Sequence, residues 1–213
     1  ENEAASATNR LYFTEANNGL AYAENSLSNA KNMNHKFNLR AEYNIDSMNQ
    51  IVFTPRFSWQ QNRSNSNLFG QNVLEQTQQS QTLNDYAANR SGYSLSVNAL
   101  YMHKFQKKGR SFSINLRADA NDKTGTTNLY ALNAFYVPLI DSILTNQNGN
   151  SATDGYTLNT NLNYSEPITQ KDAIQITYEP EFTRNKTNKY TYNFDQPTAE
   201  YNVMDTLLTN VYD

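Results

Sequence analysis

A regular alternation of apolar and polar residues, broken by short polar segments, is the feature that most limits what this chain can form. It runs from Phe37 to Ile45 and resumes from Ile51 to Trp59, after a break at 46–49. Successive side chains of a β-strand point to opposite faces, so a period of two predicts strands with one dry face. Two such runs on either side of a short break predict a β-hairpin.

The same pattern appears twice more along the chain. Alternating runs at 93–105 and 112–120 flank a Lys107-Lys108-Gly109 turn, and runs at 156–164 and 174–182 flank a break near Pro167. A recurrence of about 60 residues is typical of a repeated supersecondary unit. The sequence therefore predicts an all-β fold, an antiparallel up-and-down meander of about six long strands.

Between the hairpins the chain is rich in Asn, Gln and Ser and shows no periodicity, which predicts long loops. Short turns at one end of the hairpins would then alternate with long connections at the other. The predicted organisation is an outer loop and strand end at 1–34, hairpin 1 at 35–66, a long outer loop at 67–89, hairpin 2 with an extended second strand at 90–137, an outer loop at 138–154, hairpin 3 at 155–194 and an outer loop at 195–213.

Charged residues are confined to one side of the predicted strands. A register shift of one residue would move every one of them to the other side, so this segregation indicates which face stays dry. The eight charges that alternate with the apolar positions, and that we predict to line a polar lumen, are Arg40, Glu42, Arg56, Lys104, Arg117, Asp119, Glu179 and Glu181.

The alternation alone leaves two hypotheses open. A soluble, secreted β-sandwich or adhesin module would bury its apolar face against a second sheet and bind glycan through Asn- and Tyr-rich loops. A transmembrane β-barrel would turn the same face towards lipid, and it commonly combines short turns at one end with long loops at the other. Loops as long as those predicted here are unusual in a sandwich, so the pattern favours the barrel.

Aromatic residues also favour the barrel, because they fall near the two ends of the apolar runs, where membrane barrels carry aromatic girdles. The predicted girdle residues are Tyr43, Trp59, Tyr93, Tyr101, Phe105, Phe112, Tyr156, Tyr164, Tyr178 and Phe182.

Composition removes several other classes of protein. No run approaches the roughly 18 apolar residues of a transmembrane helix, and with a net charge of −3 the chain offers no basic stripe for nucleic acid. It has no Cys and only two His, His35 and His103, neither of them in a recognisable catalytic or metal-binding motif. We therefore expect no enzymatic activity, no metal site and no cofactor.

Three segments carry a resemblance to a known family: 35–46, which begins His35-Lys36-Phe37; 104–113, which contains Lys107-Lys108-Gly109; and 164–168. With these segments the chain resembles the TonB-dependent-receptor-like outer-membrane β-barrel proteins of Bacteroidetes, in which the barrel follows a carboxypeptidase-like domain and a plug. The resemblance implies an internal fragment of the barrel of a transporter or receptor in the outer membrane of a Gram-negative bacterium. Its implied partners are outer-membrane lipid, the rest of the barrel and plug, and an extracellular ligand of unknown identity.

Overall fold

In the computed structural model, which describes residues 1–13, 19–169 and 171–212, all regular secondary structure is β-strand. The described residues contain no helix long and apolar enough to cross a membrane. The strands are β1 (Asn2–Tyr12), β2 (Leu20–Asn38), β3 (Ala41–Asn44), β4 (Asn49–Leu74), β5 (Thr77–Lys104), β6 (Ser111–Phe135), β7 (Asp141–Pro167), β8 (Ala173–Tyr178), β9 (Glu181–Asp195), β10 (Glu200–Met204) and β11 (Asn210–Tyr212).

All strands belong to one antiparallel sheet in meander order, which confirms the predicted fold class. β2 and β3 pair with β4 in a single register and are separated only at 39–40, and β8 and β9 follow each other in the same way along β7. The six predicted strand cores therefore exist, and all three predicted hairpins form. β1, β10 and β11 add strands that the sequence did not indicate.

The predicted long outer loop at 67–89 is wrong. β4 continues to Leu74 and β5 begins at Thr77, so only Glu75 and Gln76 connect them, both with positive φ as in a two-residue hairpin turn. Strand pairing satisfies the backbone groups of this segment, and cross-strand bonds such as Asn67 Nδ2 to Asp85 Oδ1 at 2.6 Å link its side chains. Polar residues on both faces remove the alternation by which a strand is recognised.

The other predicted outer loops are also shorter than expected, for the same reason. Of the segment 138–154, only the part before Asp141 lies outside β7. The segment 1–34 contains β1 and most of β2, with residues 14–18 outside the described part of the chain, and the segment 195–213 contains β10 and β11. The strands reach 28 residues in β5, about 90 Å of extended chain.

The sheet is a single open layer. Each strand contacts its neighbours in the meander, and among residues 1–13, 19–169 and 171–212 no second sheet packs on either face. The described strands also show no pairing between β1 and β10 or β11, so the sheet is not closed. The sandwich hypothesis requires two packed sheets, and the described strands form a single one.

Candidate functional site: the polar face of the sheet

The two faces of the sheet have the opposite burial from that of a soluble protein. We call the face with Phe37, Phe53 and Leu116 the apolar face and the other the polar face; in the described part of the chain every buried residue lies on the polar face. The buried residues are Val52, Gly70, Ala88, Gly125, Gly149 and Thr191. On the apolar face Phe37 is 60% exposed and Leu116 is 48% exposed. The closely packed positions therefore lie on the polar face, while large apolar residues of the other face stay exposed.

Many of the exposed apolar residues form a band across the end of the sheet that carries the β3–β4, β5–β6 and β7–β8 connections, whereas others, such as Ile140 and Leu207, lie elsewhere. We call this end the turn end. On β4 it extends from Ile51 to Trp59, about 26 Å along the strand. Nine of the ten predicted girdle residues belong to the apolar face by register, and the tenth, Phe105, follows directly after β5. Ring contacts occur at both edges of the band, with His35 and Trp59 centroids 5.5 Å apart at one edge and Phe105 and Tyr164 centroids 6.4 Å apart at the other.

The edge of the band farther from the turns is inclined to the cross-strand rows. The cross-strand row that contains Trp59 and Tyr93 reaches β9 at Lys186, but the last aromatic residue of the band on β9 is Phe182, four residues nearer the turn end. At the turn edge, Tyr101 and Tyr178 lie in the same cross-strand row, so the shift is confined to the far edge. Four residues span about 13 Å and four strand spacings span about 19 Å, so this far edge is inclined by about 35° to the cross-strand rows.

The eight predicted lumen residues all lie on the polar face. Two ion pairs join residues of this set that are two positions apart. Arg40 Nη2 lies 2.5 Å from Glu42 Oε1, and Arg117 Nε lies 2.7 Å from Asp119 Oδ2. The two glutamates of hairpin 3 accept hydrogen bonds from asparagines of β7, Glu179 from Asn161 and Glu181 from Asn159. Arg56 and Lys104 form none of the ion pairs in the described part of the chain.

A groove on the polar face joins strands β4 to β7 just beyond the apolar band. Its volume is about 530 Å³, and two cations, Arg90 and Lys123, contribute to its lining. The rest of the lining is mainly hydroxyl and amide side chains from the polar face, Ser58, Gln60, Asn62, Ser94, Ser151 and Thr153. Sequence reasoning missed this groove because Arg90 and Lys123 lie where the alternation fades, although their positions continue the same period of two.

At the turn end, the carboxylate of Glu166 joins the end of β7 to the turn between β5 and β6. Glu166 accepts hydrogen bonds from Arg110 Nε at 2.6 Å and from Lys107 Nζ at 2.6 Å, and the hydroxyl of Tyr164 donates a third at 2.6 Å. These bonds, chiefly that from Arg110, hold the pKa of Glu166 well below its usual range. The bond to Glu166 also raises the pKa of Arg110.

Residues 1–13, 19–169 and 171–212 contain no cluster of three His, Asp or Glu side chains that could hold a metal ion. No protein-family model matches the chain, and a comparison with curated proteins finds no match either.

Proposed function

We propose that this chain is a section of the wall of an outer-membrane β-barrel transporter or receptor of the TonB-dependent-receptor-like type. The observation that carries the proposal is the inverted polarity of the sheet, with an exposed apolar band on the outer side and a polar, partly buried inner side. Exposed apolar patches of this extent are rare on soluble monomers and are typical of a surface that contacts lipid or another protein.

The dimensions of the band support lipid as the contact. Outer-membrane barrels carry an outward apolar band about 25 Å tall with aromatic residues at both edges, on strands tilted by about 35–45°. At a tilt of about 35°, the 26 Å from Ile51 to Trp59 corresponds to about 22 Å across the membrane, and the side chains of the two aromatic edges extend it.

In this proposal the end with the β3–β4, β5–β6 and β7–β8 connections faces the periplasm, and the opposite end, where the strands continue well beyond the band, projects from the outer surface. The surface that meets an extracellular ligand is then formed by extended polar strands rather than by the long loops that the sequence predicts. The outer side contacts membrane lipid, and the two open sheet edges pair with the rest of the barrel. The chain contributes barrel wall and a polar surface that meets the ligand, and we assign it no catalytic step.

The single tryptophan of the chain, Trp59, provides a direct test. Reconstituted into bilayers with brominated lipids, Trp59 should be quenched most by bromines placed near the headgroup. The double variant Trp59→Phe/Phe53→Trp moves the probe towards the middle of the band and should be quenched most by bromines deep in the acyl chains.

The control places the probe on the polar face. In Trp59→Phe/Gln60→Trp the indole faces the groove rather than lipid, so we expect little quenching at any bromine depth. Equal quenching of the Phe53→Trp and Gln60→Trp probes would contradict the assignment of the apolar face to lipid.

A further inference from the structure

The polar face carries a belt of positive charge at the level of the far edge of the apolar band. On β2, β4, β5, β6, β7 and β9, three successive cross-strand rows, those through Ser58, Gln60 and Asn62, contain a cation on four different strands and otherwise only Ser, Thr, Asn, Gln and Gly. We call these cations the cationic belt: Lys36 on β2, Arg90 on β5, Lys123 on β6 and Lys189 on β9.

The charge of the cationic belt is not compensated by carboxylates. None of its four members takes part in the ion pairs found in residues 1–13, 19–169 and 171–212. The row next to the belt on the turn side contains Asp119, but that carboxylate is bound by Arg117 at 2.7 Å. A positive belt in a chain of net charge −3 is a local feature and does not follow from composition.

Glycines on the neighbouring strands make room for the two central cations. Lys123 lies opposite Gly92, and a Cβ at Gly92 would come 2.7 Å from Lys123 Cγ. Arg90 lies opposite Gly125, and a Cβ there would come 3.2 Å from Arg90 Cγ. The stems of both cations therefore rest over bare backbone, in the groove whose other lining groups include the hydroxyls of Ser58 and Ser94, 2.8 Å apart.

We propose that the cationic belt selects an anionic, hydroxyl-rich solute, a carbohydrate that carries carboxylate or phosphate groups. Rings of Arg and Lys select anions in membrane pores, and Arg and Lys bind carboxylate and phosphate oxygens through charge-assisted hydrogen bonds. The Ser, Thr and Asn side chains between the cations provide donors and acceptors for sugar hydroxyls. This inference rests on the proposed function, in which the polar face lines the inside of the barrel.

Titration calorimetry on the protein in detergent micelles tests the belt with three probes: trigalacturonate for carboxylates, glucose 1,6-bisphosphate for phosphates and maltotriose as a neutral sugar. We expect at least one anionic probe to bind at least tenfold more tightly than maltotriose, with an affinity that falls as salt is raised. Arg90→Gln/Lys123→Gln should weaken that binding at least tenfold. The anionic probe that binds more tightly identifies the group recognised.

The matched control is Lys31→Gln/Arg63→Gln, which removes two cations from the apolar face and should leave binding unchanged. Equal affinity for neutral and anionic probes, or an equal loss in the control, would overturn the belt proposal. Trp59 quenching, measured on the same protein after reconstitution into bilayers with brominated lipids, separates the two proposals. A protein that inserts into bilayers but shows no preference for anions disproves the belt alone, whereas absence of lipid quenching disproves the barrel wall.

Discussion

Gly92 shows how one missing methyl group shapes the polar face. A Cβ at this position would lie 2.6 Å from the backbone oxygen of Asp122, closer than a Cβ can approach, and this oxygen cannot rotate away as a side chain would. The position therefore needs glycine for close approach between β5 and β6. Gly70 differs, because the nearest atom to its Cβ would be the hydroxyl oxygen of Tyr22, at the tip of a flexible side chain.

Gly92→Ala should lower the free energy of unfolding by about 1–3 kcal/mol, since the added carbon must push two paired strands apart. The measurement is the urea midpoint of the protein in micelles. Gly70→Ala serves as the control and should cost clearly less, because Tyr22 can move. Equal losses in the two variants would show that backbone approach at Gly92 is not what makes glycine necessary there.

Val97 lies midway between Tyr93 and Tyr101 on the apolar face, at the centre of the band. Val97→Arg should impair membrane insertion, because a cationic side chain on the lipid face near the bilayer midplane costs about 2–4 kcal/mol. Ser94→Arg is the matched control on the same strand, since it points to the polar face between the uncharged Ser58 and Asn121. Insertion is measured by heat-modifiable gel mobility, and equal behaviour of both variants would contradict a lipid-facing band.

At the scale of the element, the turn ends are where the chain concentrates its local interactions. In the turn between β3 and β4, Asp46 Oδ1 accepts bonds from the backbone nitrogens of Met48 and Asn49 at 2.7 and 2.8 Å. A side-chain bond from Asn49 is the main reason that the pKa of Asp46 is lowered. Glu166 acts between turns, because it joins the end of β7 to Lys107 and Arg110 in the turn between β5 and β6.

The Glu166 cluster should make the stability of the protein depend on pH. Its pKa is lowered in the folded state, so the stabilisation is fully present above the ordinary glutamate pKa of about 4.3 and is lost progressively as the pH falls below it. The thermal midpoint in micelles should therefore fall between pH 5 and pH 3. Glu166→Gln should lower the midpoint at pH 7 and flatten this dependence.

Glu3→Gln provides the comparison, because it removes a carboxylate from β1 that forms none of the described ion pairs. Its midpoint should follow that of the unmodified protein at every pH. If Glu166→Gln kept the full acid dependence of the unmodified protein, another group would be responsible for it.

At the scale of the whole molecule, stability cannot come from an apolar core, because one open sheet has no second layer to bury its apolar face. The described residues include only two buried hydrophobic side chains, Val52 and Ala88. Cross-strand hydrogen bonds hold the sheet together, and an apolar band and two unpaired edges remain available for contact. Such edges pair readily with other strands unless they are covered.

The chain should accordingly need a bilayer or detergent to remain dispersed. We expect it to sediment from detergent-free buffer, and in micelles to give a circular dichroism spectrum dominated by β-structure. Analytical ultracentrifugation with and without detergent provides the measurement. A dispersed monomer in plain buffer would contradict the membrane proposal.

The sequence alone was enough to predict the strands from Phe37 to Trp59 and their counterparts in the other two hairpins. In these strands apolar and polar residues alternate, so a single register places the apolar residues on one face and the polar residues on the other. It also placed Arg40, Arg117 and the other six predicted lumen charges on the polar face, because that assignment depends only on a period of two.

The tertiary structure decided the rest. The segments around Asn67 and Asp154 form strands although both of their faces are polar, and this could not be predicted because their ordering depends on backbone pairing with neighbouring strands. Which face holds the buried positions depends on the packing of the whole sheet. Cross-strand register places Arg90 opposite Gly125 and Lys123 opposite Gly92, although the two residues of each pair are more than 30 positions apart in the chain.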